Sequence, residues 1–217
     1  MLKKLSAEKQ LEILEIGIAE FAEHGPAKAN INVIARNSGV SVGVLYKYYE
    51  NKDALFLACL RHALTALERV ISEVFQSSDK MLARTEKLIR ALQRSAKEQP
   101  CYHILYHEIT AGSCRQYASV FAREIEEISA AAYGALITQA QAEGTLRQDM
   151  DPRMFAFFFD NLLMMLQFSY CCDYYRERFE IYCGRDALSD DDKVASELLK
   201  FFESAFTTER SQIQHQN

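Results

Sequence analysis

Few residues in this chain are spaced for chemistry. His103 and His107 stand four apart, a spacing that sets two imidazoles on one helix face where they could hold a metal ion. Two ligands do not complete a site, and Cys101 and Glu108 fall off that face, so no metal is assigned. Cys171 and Cys172 could support thiol chemistry, but neighbours on a helix diverge by about 100° and bridge poorly. Cysteines 59, 101, 114 and 183 show no Cys-x-x-Cys spacing, which fits reduced thiols. The sequence has no Gly-rich phosphate loop, nucleophile elbow, His-Glu-x-x-His or Glu-x-x-His pair. It therefore reads as a non-enzyme with no cofactor. What remains is positive charge gathered in one stretch. Between residues 26 and 52, Lys28, Arg36, Lys47 and Lys52 stand against Glu50 alone, a balance of +3 in a chain of net charge −5. A small basic end on an acidic protein calls for specific contacts to a polyanion rather than bulk attraction.

The elements that would position this stretch are two short helices joined by a tight turn. Asn30 can cap a helix over 31–38 by accepting from free N–H groups of its first turn. Gly39 supplies the left-handed residue that stops it, and Ser41 caps a second helix over 42–49. Ile31, Ile34, Ala35, Val40, Leu45 and Tyr49 give the apolar spacing that would lock the pair at an angle. Two helices around a short Gly-containing turn are a helix-turn-helix, whose second helix enters the DNA major groove.

Only 3 Pro and 8 Gly in 217 residues, with long apolar-periodic runs, predict an all-α protein of about nine helices. The first spans 6–24, with Leu11, Leu14, Ile18 and Phe21 on one face, and ends at Gly25-Pro26. Asn51 caps a fourth helix running to about 75. The fifth covers 81–98, the sixth 101–111 and the seventh 114–143. Asp151-Pro152 starts an eighth that reaches 182, and Ser189 caps a ninth with Asp190, Asp191 and Asp192 in its first turn. The N-terminal ten residues lack the apolar core of a secretory signal. The apolar stretch 154–172 is interrupted by Asp160, Asn161 and Gln167, and a mid-membrane Asp costs about 2.5–3.5 kcal/mol. A cytoplasmic protein with no membrane partner is expected.

The runs ILEIGIAEFAEHG and INVIARNSGVSVGVLYKYYENKDALF resemble the N-terminal domain of the TetR/AcrR family of bacterial transcriptional regulators. The matching residues are Phe21, Gly25, Ile34, Ala35, Gly39, Val40, Ser41, Gly43, Leu45, Tyr46, Lys52 and Leu55. The resemblance implies a DNA-binding head over 1–52 and a ligand-binding and dimerisation body over 53–217. It further implies a ligand-responsive regulator, a repressor in most family members, on a palindromic double-stranded operator. Tyr46, Tyr48 and Lys52 match the family's phosphate-binding positions; a phenol donates one hydrogen bond and a lysine releases counterions. Asn32, Val42, Gly43 and Val44 match base-contacting positions, with Lys47 a further candidate, and Ser41 is counted among the DNA-binding residues. The family often has Lys and Thr where Val42 and Val44 stand. Valines cannot hydrogen-bond a base edge but can meet thymine methyls, so an A·T-containing half-site is expected.

The resemblance also implies a homodimer through the last two helices, about 152–183 and 190–207, which would absorb the apolar surplus of Phe155, Phe157, Phe158, Phe159, Leu162 and Phe201. It implies release by a small, largely apolar effector in the body. Leu88, Leu92, Tyr102, Tyr106, Phe121, Ile125, Met165, Phe168 and Cys172 are the expected walls, with His103 and His107 as polar anchors. Two other readings stay open: an architectural DNA-binding protein without inducer, and a metal- or thiol-responsive regulator.

Overall fold

The computed structural model describes residues 5–76, 79–110 and 118–206, without the side chains of 118, 120 and 121. Among them are ten α-helices, one 3-10 turn and no strand. The helices are α1 (Ala7–Lys28), α2 (Ile31–Asn37), α3 (Val42–Tyr49), α4 (Lys52–Phe75), α5 (Met81–Glu98), α6 (Pro100–Thr110), α7 (Ala118–Ala142), α8 (Pro152–Cys171), α9 (Asp173–Cys183) and α10 (Asp191–Phe206).

The chain divides into two units, 1–68 with 99–119, and 69–98 with 120–217. In the first, Ser6 starts α1 by accepting from the Lys9 N–H. Gly25 interrupts α1 with φ 70°, and Pro26 opens its final turn. Ile13, Ile18 and Phe21 of α1 and Leu55, Phe56 and Leu60 of α4 are buried, and Phe21 and Phe56 meet edge to face at 5.1 Å. The two helices approach closely because position 17 is glycine: a Cβ there would lie 2.6 Å from Cys59 Sγ. Burial raises the Cys59 thiol above its ordinary pKa, with a smaller push from Glu15. Gly17→Ala is therefore expected to cost about 1–3 kcal/mol by overpacking, seen as a lower denaturant midpoint; an unchanged midpoint would mean the α1–α4 contact is loose. α6 lies on α1, where Glu15 Oε1 accepts from the Tyr102 hydroxyl at 2.5 Å and contacts His62 Nε2 at 2.8 Å.

The second unit has one core of Leu88, Ile89, Leu92, Tyr133, Ile137, Phe155, Phe159, Leu163, Phe202 and Phe206. Asp151 caps α8 by accepting from the N–H groups of Arg153 and Met154. α5 is clasped to the start of α10 by Lys97–Asp191 at 2.7 Å and Arg90–Asp192 at 2.5 Å.

Three sequence expectations need correction here. The helix expected over 152–182 is two helices: Cys172, extended at φ −112° and ψ 125°, ends α8 and precedes α9. The segment 152–183 is thus α8 plus α9, and the final helix is the tenth. That break also brings Cys171 and Cys172 Sγ to 3.7 Å, because the pair no longer shares one helical screw. Ser189 does not cap the final helix; it ends the 3-10 turn, and Asp190 accepts from the Lys193 N–H. The seventh helix is described from Ala118, so its expected start at 114 lies outside the described residues. α8 has the length and apolarity of a membrane span, but just over half of its apolar window, 56%, is buried inside the protein.

Candidate functional site

The helix-turn-helix is built by local hydrogen bonds. Asn30 Oδ1 accepts from the Asn32 N–H at 2.9 Å and caps α2. Gly39, at φ 65°, makes the turn, and the Val40 N–H reaches back to Ala35 O at 3.0 Å. Ser41 Oγ accepts from the Val44 N–H and caps α3. Buried Ser38 donates from its hydroxyl to Ile34 O at 2.7 Å, closing the turn without an orphaned group.

α3 buries Leu45 alone. Ser41, Gly43, Tyr46 and Lys47 are exposed and Val42, Val44, Tyr48 and Tyr49 half-buried. Asn32 is exposed on α2. Neither α2 nor α3 carries an Asp or Glu. A face with a phenol, an ammonium, an amide and no carboxylate can approach a phosphate backbone without like-charge cost. A Cβ on Gly43 would meet only Ser41 Oγ, at 4.0 Å, so its surface side is open.

Two of the expected phosphate groups also have partners inside the protein. The Tyr48 hydroxyl accepts from the Leu5 N–H at 2.6 Å, which leaves its own proton to donate. Lys52 Nζ donates to Ala27 O at 2.8 Å and Ala29 O at 3.4 Å, where carbonyls at the end of α1 favour a cation. Two positioning residues escaped the sequence reading. Glu20, 8% exposed, accepts from the Asn30 N–H at 2.8 Å and fixes the entry to α2. Glu50 takes the left-handed conformation at φ 58° between α3 and α4. Glu20 lies on the apolar side of α1, and an acid in such a position was the available signal.

The residues expected to wall a body pocket are shared between the two units. Tyr102, His103, Tyr106 and His107 lie on α6 in the first unit, with His103 fully buried. In the second unit Leu88 and Leu92 sit in the core, while Ile125, Phe168 and Cys172 are buried. The Phe121 side chain lies outside the described residues. Met165 lines a cavity of about 390 Å³ among α8, α9 and α10. A larger cavity, about 630 Å³, opens between α7 and α8 and is lined by Tyr133, Ala130, Ala156, Phe157 and Met164 with Glu126, Asp160 and Arg153. Burial, and secondarily Glu126, pushes the Asp160 carboxyl up to about 7. Asp160 was read from sequence only as an interruption of an apolar run. Among the described residues no three His, Cys, Asp or Glu side chains converge as a metal site would require.

Residues 13–59 match the family described as bacterial regulatory proteins, tetR family. The probable acrEF/envCD operon repressor of Escherichia coli K12 is 35% identical over 117 residues, covering 50% of this chain and 53% of that protein. The match thus spans about half the length of that relative. Two solved structures share the fold over nearly the whole chain. FadR from Bacillus subtilis, in complex with stearoyl-CoA, has a TM-score of 0.70 at 14% identity, covering 91% of this chain and 100% of that one. The ketosteroid regulator KstR2 of Mycobacterium tuberculosis has a TM-score of 0.66 at 20% identity, covering 95% and 98%.

Proposed function

We propose that this chain, whose residues 13–59 match the tetR family of bacterial regulatory proteins, is a cytoplasmic transcriptional repressor rather than an enzyme. It binds a palindromic operator as a homodimer and leaves it when a small, largely apolar effector binds in the body. DNA reading belongs to residues 1–52, effector binding and dimerisation to 53–217. The observation that carries the reading is the outer face of α3, where Ser41, Gly43, Tyr46 and Lys47 surround a single buried leucine and no acid intervenes.

Asn32 and Val42 to Val44 would meet base edges, with Lys47 a further candidate; Tyr46, Tyr48 and Lys52 would meet phosphates. One head touches too few bases for specificity, so two must act together, about 34–36 Å apart for consecutive major grooves. Dimerisation is supported by apolar residues left uncovered on α8 and α10: Phe158 is 51% exposed and Phe201 57%. Effector release requires that the ligand bind one head spacing better than the other. FadR from Bacillus subtilis, which shares the fold, was solved in complex with stearoyl-CoA, and this supports an apolar effector.

Gly43→Ala separates stability from recognition. Its Cβ has room, so the helix gains about 0.5–1 kcal/mol and the melting temperature rises. The methyl also stands between backbone and groove, and operator affinity is expected to fall about tenfold, ~1.4 kcal/mol. Thermal melts and fluorescence anisotropy on one sample check both; unchanged affinity would remove Gly43 from the interface.

The function itself is tested by capturing genomic fragments on purified protein, washing at rising salt and sequencing what stays. A few fragments that share a palindrome and survive moderate salt support the repressor. Broad retention lost in one salt step would mean an architectural protein.

A further inference from the structure

The break between α8 and α9 falls on two cysteines. Cys172, extended at φ −112° and ψ 125°, ends one helix and heads the next. Its Sγ lies 3.7 Å from that of Cys171, and both residues are buried. α1, α2, α3, α4, α8 and α10 each begin on a side-chain oxygen that accepts from a first-turn N–H. α9 begins on a thiol that makes no such bond. A serine or aspartate there would stabilise the helix start, so capping does not explain the cysteine. Two sulfurs alone do not make a metal site, and among the described residues no group of three His, Cys, Asp or Glu side chains could hold a metal.

We infer that Cys171 and Cys172 are a dithiol that hydrogen peroxide oxidises reversibly to a disulfide between neighbours. This adds a second input to the repressor proposed above and rests on that reading for the operator effect alone. One thiolate attacks a peroxide oxygen and the O–O bond breaks, leaving a sulfenic acid and water. The second sulfur then attacks the first. An S–S bond forms, the S–O bond breaks, and the hydroxyl leaves as water with the second thiol's proton. Two thiols have lost two electrons and two protons, and one peroxide has become two waters.

The geometry favours this course at each step. Burial admits peroxide and keeps out bulky reagents such as oxidised glutathione. Contact between the sulfurs lets the sulfenic acid be captured before a second oxidation. The resulting ring is strained, since adjacent Cα atoms lie about 3.8 Å apart against about 4.4–6.8 Å in ordinary disulfides. Strain makes the bond easy to reduce, as a transient disulfide in a reducing compartment must be.

Closing the sulfurs from 3.7 Å to a bond of about 2.0 Å must move the junction. The Cys172 N–H donates to Phe168 O at 2.8 Å, and the Arg176 N–H donates to Cys172 O at 3.0 Å. The Arg176 guanidinium donates to Tyr170 O at 2.9 Å. The Tyr170 hydroxyl donates in turn to Asp191 at 3.0 Å, at the start of α10. Strain at 171–172 therefore reaches α9 and α10, and α10 carries part of the proposed dimer face.

The full-length protein is treated with hydrogen peroxide, alkylated, digested and weighed. The fragment holding both cysteines is expected to lose two hydrogens, resist alkylation and recover both thiols in dithiothreitol. Oxidised glutathione should leave it unchanged. Cys172→Ser gains a competent cap and keeps its helical content, and its Cys171 should pass to irreversible acids instead. A wild-type fragment that stays a dithiol, passes to sulfinic acid unlinked, or is linked as readily by oxidised glutathione would overturn the inference. Operator affinity, read by anisotropy, is expected to fall about tenfold on oxidation and to recover in dithiothreitol. The double variant Cys171→Ser and Cys172→Ser should ignore peroxide. A disulfide that forms without changing affinity upholds the dithiol and overturns its role as an input. A reduced protein that retains no genomic fragment overturns the repressor and leaves the dithiol standing.

Discussion

A chain carrying Phe158→Glu and Leu162→Glu together is expected to be monomeric and to lose its operator. Both side chains are exposed on α8, so the variant should keep its helical content. At a dimer interface the same positions would become apolar contacts between copies, and each glutamate would bury a charge with no partner, a change among the most destabilising single substitutions. Losing the second head removes the effective concentration that linkage provides, about 10²–10⁴-fold in affinity. Sedimentation equilibrium reads the mass and anisotropy reads the affinity. A variant that stays dimeric with full affinity would move the interface off α8. A monomer that still binds tightly would overturn the two-head requirement.

Phe159→Ala is the largest stability effect expected in the body. The ring is 1% exposed and packs at 4.6 Å from Phe202, 5.3 Å from Tyr133 and 6.2 Å from Phe206, measured between centroids. Removing it forfeits the transfer energy of a phenyl ring and leaves a cavity among three aromatics too rigid to collapse, about 3–5 kcal/mol. Against a usual total of about 5–15 kcal/mol, that takes a large share of what holds the protein folded. Guanidinium unfolding followed by circular dichroism measures it. A cost under about 1 kcal/mol would mean that the surrounding rings close the gap.

Much of the head was legible before any coordinates. Asn30, Ser41 and Asn51 each accept from an N–H two or three residues on, as their types and positions imply, and Gly39 takes the left-handed turn that the pattern demands. Asp151 caps the apolar helix as read. These are contacts within one helical turn, and residue type at fixed spacing is enough to specify them. Where two good capping residues stand side by side the same rules give no unique answer. Ser189 and Asp190 are both good caps, and the 3-10 turn over Ala187–Ser189 decides for the aspartate.

The sequence alone determined the helix order as far as the start of α8, the helix-turn-helix and the family that residues 13–59 resemble. Only the tertiary structure decided which atoms meet across helices. Lys52 ends on carbonyls more than twenty residues away, and Glu20 on the Asn30 N–H ten residues on; neither pairing leaves a local signature. α8 is the clearest case. A helix apolar on nearly every side carries no periodic signal of which face turns inward, so Phe155 and Phe159 inside, Phe157 and Phe158 outside, could not be told apart. That rotation is set by the shapes of α5, α7 and α10, and with it the structure places Asp160 at the cavity between α7 and α8.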